Sequence, residues 1–128
     1  MSTIHQEVTF AASPQRVYEA LTDGVQFAGW SGAPAEIGGV EGGGFSCFGG
    51  MITGRNVEAV PGERLVQAWR AGNWAPGVYS IATFALAADG VGTKLTFDQA
   101  GYPEGMGEHL QEGWKKMYWD KIAAAIGE

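Results

Sequence analysis

The sequence predicts an α+β domain: an antiparallel sheet of six or seven strands, two short helices after the first strand, and one long C-terminal helix. Three observations predict it. Strand-like segments follow one another at hairpin spacing instead of alternating with helices. Turn-forming pairs separate them, at Gly49-Gly50, Pro61-Gly62 and Asp89-Gly90. Residues 106–126 then carry the longest helical pattern in the chain.

The 128 residues, 45% hydrophobic and 17% charged, correspond to one domain spanning 1–128. Six Phe, five Trp and four Tyr far exceed what a disordered chain carries. No run approaches the ~18 apolar residues of a membrane span. The 21 glycines are about 16% of the chain, against a usual figure near 7%. They follow no collagen-like period, so they are expected at turns, bulges and cavities. A net charge of −6 disfavours nucleic acid and anionic lipid as partners. Cys47 is the one cysteine, which excludes an internal disulfide and a cysteine-based metal site. The polar stretch Met1 to Glu7 lacks the apolar core of a signal peptide, so the cytoplasm is the expected location.

The elements follow in order. Residues 3–10 read as a strand, with Ile4, Val8 and Phe10 among polar neighbours. Ser13-Pro14 is a helix start, Ser as N-cap and Pro at the first helical position. Val17, Ala20 and Leu21 give that helix its apolar side. Thr22-Asp23-Gly24 breaks it and caps a second short helix through Trp30. Residues 31–44 form a glycine-rich stretch, expected to be either a flexible opening to a cavity or a poorly ordered crossover. Strands are then expected at 45–48, 51–60, 64–70, 78–87 and 94–100, with a loop at 71–77 carrying Asn73, Trp74 and Pro76. In the last helix, Leu110, Trp114, Met117, Tyr118, Lys121 and Ala125 share one side at 100° per residue. Gly113 is expected to clear room beside Trp114. Trp119 and Ile126 fall on the opposite side, as edge burial, a dimer contact or a partner surface.

Chemistry-bearing patterns are sparse. His5 and His109 lie at opposite ends and have no metal-ligand spacing. No Gly-x-Ser-x-Gly elbow is present, and Gly38–Gly44 has neither a dinucleotide nor a Walker glycine pattern. Cys47 in a short apolar strand reads as a buried thiol. Glu104, Glu108 and Glu112, spaced by four around the start of the long helix, suit either acid–base work or the helix dipole. No cofactor and no metal are expected. The aromatic residues are spread over nearly every element. They either fill the core or line an apolar cavity between sheet and helix. Lys121, inside the apolar stripe, is either a snorkelling lysine or a cation facing that cavity.

Several stretches carry a family resemblance. The Ile4–Leu21 pattern, with Ser13-Pro14, Val17-Tyr18 and Ala20-Leu21-Thr22-Asp23, resembles the START-like helix-grip superfamily (SRPBCC) that includes the birch pollen allergen. Gly54–Pro61, Leu65–Arg70, Asn73–Ser80 and Glu112–Trp119 look like the C-terminal domain of the activator of heat shock protein 90 ATPase homologue-like family. The resemblance covers essentially the whole chain. It implies a curved sheet gripping the long helix around a cavity, and it carries over no catalytic motif. The family's eukaryotic co-chaperones also use a separate N-terminal domain. The expected function is therefore non-catalytic binding of a small apolar ligand, contacted by Trp30, Phe45, Trp69, Trp74, Phe84 and Trp114, with Lys121 as polar anchor. The alternative is a chaperone-interacting, co-chaperone-like protein that touches heat shock protein 90 through its outer surface, near Trp119 or the Trp74 loop. A lesser alternative is a cyclase or dehydratase using Glu104, Glu108, His109 or Glu112. The chain is expected to be a monomer or homodimer.

Overall fold

A computed structural model of the chain describes residues 3–126. Strand β1 (Thr3–Phe10) leads into α1 (Pro14–Thr22) and α2 (Gly24–Ser31). Ser13 caps α1 by accepting from the Arg16 amide at 3.2 Å, with Pro14 in the first turn. Asp23 ends α1 and caps α2, its Oδ1 accepting from the amides of Val25 and Gln26. Gly32, at φ 76°, closes α2 in the left-handed region.

Six further strands follow: β2 (Glu36–Ile37), β3 (Gly44–Cys47), β4 (Ile52–Val60), β5 (Arg64–Ala71), β6 (Ser80–Asp89) and β7 (Gly92–Ala100). They form one antiparallel seven-stranded sheet in the order β1-β7-β6-β5-β4-β3-β2. Alternate residues such as Ile4, Leu65, Phe84, Leu95 and Phe97 are buried on the face that meets the helices.

The expectation of a helix-grip fold, a curved sheet around the long C-terminal helix, is corrected here. The sheet is open: β1 and β2 are its two edges and do not pair with each other. Curling a sheet requires bulges repeated along its strands. The ladders shift register once, between Asn56 and Glu58 of β4, and β2 is only two residues long. That geometry bends the sheet locally without wrapping it around a helix.

The glycine-rich stretch is also ordered, as the hairpin between β2 and β3. The Gly38 amide donates to the Gly44 carbonyl at 2.9 Å, and the Asn56 amide donates to the Gly43 carbonyl at 2.8 Å. Asn56, fully buried, sends its Nδ2 to the Gly38 carbonyl at 2.9 Å and accepts from Gln67 Nε2 at 3.1 Å. Backbone touches backbone here: a Cβ on Gly43 would lie 2.1 Å from the Gly38 oxygen. The next connection is longer than the expected two-residue turn. A 3₁₀ turn, Phe48–Gly50, joins β3 to β4, with the Met51 amide donating back to the Phe48 carbonyl. The turns at Pro61-Gly62 and Asp89-Gly90 stand where expected, with Gly62 and Gly90 at positive φ.

The C-terminal rod has three parts: α3 (Gly107–Gly113), a π-helical turn (Trp114–Trp119) and α4 (Asp120–Ile126). Within the turn the Asp120 amide donates to the Lys115 carbonyl, five residues back. Widening the turn changes which residues face the sheet. Leu110, Trp114, Tyr118, Trp119 and Ile122 are buried, whereas Met117 is 42% exposed and Ala125 is exposed. Of the expected stripe, Leu110, Trp114 and Tyr118 are buried, whereas Met117 and Ala125 are not and Lys121 is half-buried. Trp119, expected on the far side, is in the core.

Candidate functional site

A cleft of about 620 Å³ opens where the rod leaves the sheet. One wall is the 3₁₀ turn and the start of β4, from Phe48 to Ile52. A second is the end of β5 and the loop after it, with Trp69, Ala71, Gly72, Asn73 and Trp74. The third is the rod, with Met106, His109, Leu110, Gly113, Trp114, Met117 and Tyr118. Asn73 and His109 are the lining side chains with a hydrogen-bonding group at the rim; the rest are glycines, aliphatic residues and aromatic rings.

Buried hydrogen bonds hold the aromatic floor in place. Trp114 Nε1 donates to Gln99 Oε1 at 2.8 Å, Gln99 Nε2 to Ser80 Oγ at 2.9 Å, and Ser80 Oγ to the Trp69 carbonyl at 2.9 Å. This chain of buried groups fixes Trp114 against Trp69, their ring centroids 5.2 Å apart. Trp69 Nε1 reaches the Tyr118 hydroxyl at 3.4 Å. Burial drives the Tyr118 hydroxyl pKa upward, and it pushes the neighbouring Cys47 thiol up to about 12. Both groups therefore stay protonated, and Cys47 is no nucleophile. Phe48, at φ 54°, occupies the left-handed region that disfavours side chains, and its ring packs on Phe27, Trp30 and Tyr118.

The loop wall is set by Arg70. Its guanidinium donates to the carbonyls of Trp74 at 2.6 Å, Ala75 at 3.1 Å and Val78 at 3.2 Å, and lies over the Tyr79 ring. The planar fork suits converging carbonyls, which accounts for Trp-Arg followed by Trp-x-Pro-Gly in the sequence. Trp74 is thereby held 5.6 Å from Trp69, with its Nε1 buried and unpartnered.

Of the seven side chains that the sequence singles out, Trp69, Trp74 and Trp114 meet at the cleft. Trp30 lies among Phe27, Phe48 and Tyr118, donating Nε1 to the Ala20 carbonyl at 2.8 Å. Phe45 packs over Gly54 of the neighbouring strand, and Phe84 is enclosed by Phe97, Trp114 and Trp119. Lys121 Nζ donates to the Ser31 carbonyl at 3.2 Å, at the C-terminus of α2, where a cation is favoured by the negative end of the helix dipole. None of these four lines the cleft. Gly113 does, but it clears no room: a Cβ there would meet nothing within 4 Å.

Sequence reasoning missed Met51 and Met106 as cleft residues, and named His109 only in its lesser, enzymatic alternative. The available signal was that Met51 follows a glycine turn and Met106 immediately precedes the long helix. Their separations along the chain do not bring them together. Trp119 donates Nε1 to Gln6 Oε1 at 2.6 Å and is 4% exposed, so it offers no outer surface. Glu104, Glu108 and Glu112 are all exposed. Among the described residues, no group of three or more His, Cys, Asp or Glu could hold a metal ion, and no helix is long and apolar enough to cross a membrane.

Comparison with known proteins gives a consistent result. Among curated proteins, the chain is 33% identical over 121 residues to an activator of 90 kDa heat shock protein ATPase homolog from Dictyostelium discoideum. That match covers 94% of this chain and 32% of the relative. The chain spans about a third of the length of the curated relatives it matches. Among solved structures, an HSP90 activator from Plasmodium falciparum superposes with a TM-score of 0.91 at 24% identity, covering 97% of this chain and 95% of that one. The Aha1 dimer from Colwellia psychrerythraea gives 0.82 at 21% identity, covering 98% and 97%. At these identities the two structures show a shared fold. The family model described as Activator of Hsp90 ATPase homolog 1-like protein matches residues 11–127. The chain belongs to that family.

Proposed function

We propose that this domain is a non-catalytic, co-chaperone-like module that binds a 90 kDa heat shock protein and modulates its ATPase. One observation carries the reading: 94% of the chain aligns with a relative named for activating that ATPase. The site is compatible with it, because an apolar, half-open cleft held by buried hydrogen bonds suits recognition more than bond-breaking chemistry. The test is capture of the purified chain by the heat shock protein 90 of the same organism, together with that chaperone's ATPase rate. Saturable binding with a changed rate supports the reading. No complex at protein concentrations of tens of micromolar refutes it.

A second reading is favoured by the cleft itself: a small apolar ligand seated on Trp69, Trp74 and Trp114. Quenching of tryptophan fluorescence by an apolar probe such as an anilinonaphthalene sulfonate, lost in Trp114→Leu but kept in Trp30→Phe, supports it. Equal quenching in both variants excludes the cleft as the site.

A further inference from the structure

We infer that the outer edge of β1 is a self-association surface, on which a second copy of this chain adds its own β1, antiparallel and in a register centred on Gln6. The inference stands apart from the chaperone and ligand readings, neither of which uses this edge.

The two edges of the sheet are unlike. β2 has two residues, too few to template another strand. β1 has eight, contains neither Pro nor Gly, and pairs with β7 from Thr3 to Phe10 without a register shift. Among the described residues, the backbone groups along its outer edge have no backbone partner. The strand is also held ready for pairing. Gln6 accepts from Trp119 Nε1 at 2.6 Å and donates to the Gln111 carbonyl at 3.1 Å. An edge already fixed in this way loses little conformational freedom when a partner pairs with it.

Charge and register identify the occupant. In an antiparallel pair, facing residues lie on the same side of the sheet. A two-fold axis through Gln6 therefore sets Thr3 opposite the second copy's Thr9, Ile4 opposite its Val8 and His5 opposite its Glu7. His5 and Glu7 are exposed, on the face that alternates with buried Ile4. His5 Nδ1 is engaged by Asp98 of β7 at 2.7 Å, and Nε2, across the ring, by Glu7 at 3.1 Å. The second copy's Glu7 faces that ring, and symmetry makes the contact twice. Moving the axis by one residue, to His5 or to Glu7, sets like groups against each other instead. The other charges nearby leave this match intact. Lys94 engages the other oxygen of Glu7 at 3.1 Å. Along the rod, Glu108, Glu112 and Asp120 stand against Lys115, Lys116 and Lys121. The net charge of −6 opposes association at long range, and one strand pair is a small interface, so the dimer is expected to exchange with monomer.

The test is sedimentation of the full chain at about 0.15 M salt, from about 10 μM to about 1 mM protein. A reversible dimer is expected. His5→Glu and Glu7→Lys should each weaken it about three- to thirtyfold, because each spoils two symmetry-related pairs. Mixing these two variants should restore association, since each copy then presents the charge the other lacks. Restoration also excludes misfolding as the cause of the loss. For the register, Thr3→Cys and Thr9→Cys chains mixed under oxidising conditions should link to each other in preference to themselves. A parent that stays monomeric at about 1 mM overturns the inference. So does a dimer indifferent to both charge variants, a mixture no tighter than its components, or preferential linking of Thr3→Cys chains to themselves.

Discussion

Trp114 and Trp119 are five residues apart on the C-terminal rod, yet their rings stack 5.7 Å apart at 22°. In an α-helix that spacing would turn the two side chains about 140° from each other, at 100° per residue. The π turn, marked by the bond from the Asp120 amide to the Lys115 carbonyl, aligns them. It lets Trp114, Tyr118 and Trp119 all face the sheet and leaves Met117 at the mouth of the cleft. Replacing Trp119 by Ala is therefore expected to cost about 3–5 kcal/mol, as for a buried indole. A surface position would cost about 0.5 kcal/mol or less. Urea unfolding of the two proteins distinguishes these outcomes.

Two glycines should respond in opposite directions. Gly43→Ala forces a Cβ to within 2.1 Å of the Gly38 oxygen, between two backbones that cannot both stay. Opening the β2–β3 hairpin should cost on the order of 1–3 kcal/mol. Gly113 sits in the helical region at φ −61°, ψ −44° with open space around it. Gly113→Ala should stabilise the chain by about 0.5–1 kcal/mol. Thermal melting of both variants, compared with the parent, gives the signs.

Arg70 makes three hydrogen bonds to backbone carbonyls of one loop, and an ammonium cannot reproduce a planar fork. Arg70→Lys is expected to destabilise by about 2 kcal/mol, since bonds to charged donors are worth more than neutral ones. The loss should be local as well as global. Hydrogen exchange should accelerate over residues 72–79, while the amides of β6 and β7 keep their order of protection.

His5 gives a pH dependence of defined sign. Its Nδ1 lies 2.7 Å from Asp98 Oδ1 and its Nε2 lies 3.1 Å from Glu7 Oε2, while Lys94 engages the other oxygen of Glu7. The hydrogen bond to Asp98, then that to Glu7, raises the His5 pKa above its ordinary value of 6.5. A pKa raised in the folded state means that the stabilisation is fully present below the ordinary value of 6.5 and is lost as pH rises through the higher, folded-state value. The melting-temperature gap between the parent and His5→Gln should be largest below about pH 6.5 and close as pH rises past the raised value of the folded state. A gap that widens with pH would contradict the arrangement. The group is exposed, so the effect is small and should shrink further with salt.

Much of the scaffold was legible because short-range signals determine it. Ser13-Pro14 and Asp23 start their helices through local side-chain caps, and Gly62 and Gly90 turn their hairpins because they alone accept positive φ cheaply. The family was legible from Trp69-Arg70 and the Trp74-x-Pro76-Gly77 loop that Arg70 clasps. The candidate site was read only in part. Trp69, Trp74 and Trp114 were found, but Trp30, Phe45 and Phe84 have the same composition signature and lie elsewhere in the core. An aromatic residue announces burial, not which side of a layer it fills. The Gly38–Gly44 stretch was misread because its order comes from Asn56 and Gln67, on strands that follow it in sequence.

By itself, the sequence determined the order of elements, the antiparallel pairing and the family, because turns, caps and alternation act over a few residues. Tertiary structure alone decided that the sheet stays open, that a π turn swings Trp119 inward, and that Met51, Met106 and Met117 meet around one cleft. Those outcomes depend on packing between segments distant in sequence. A wider helical turn or a single bulge costs little locally, so the rest of the core selects it.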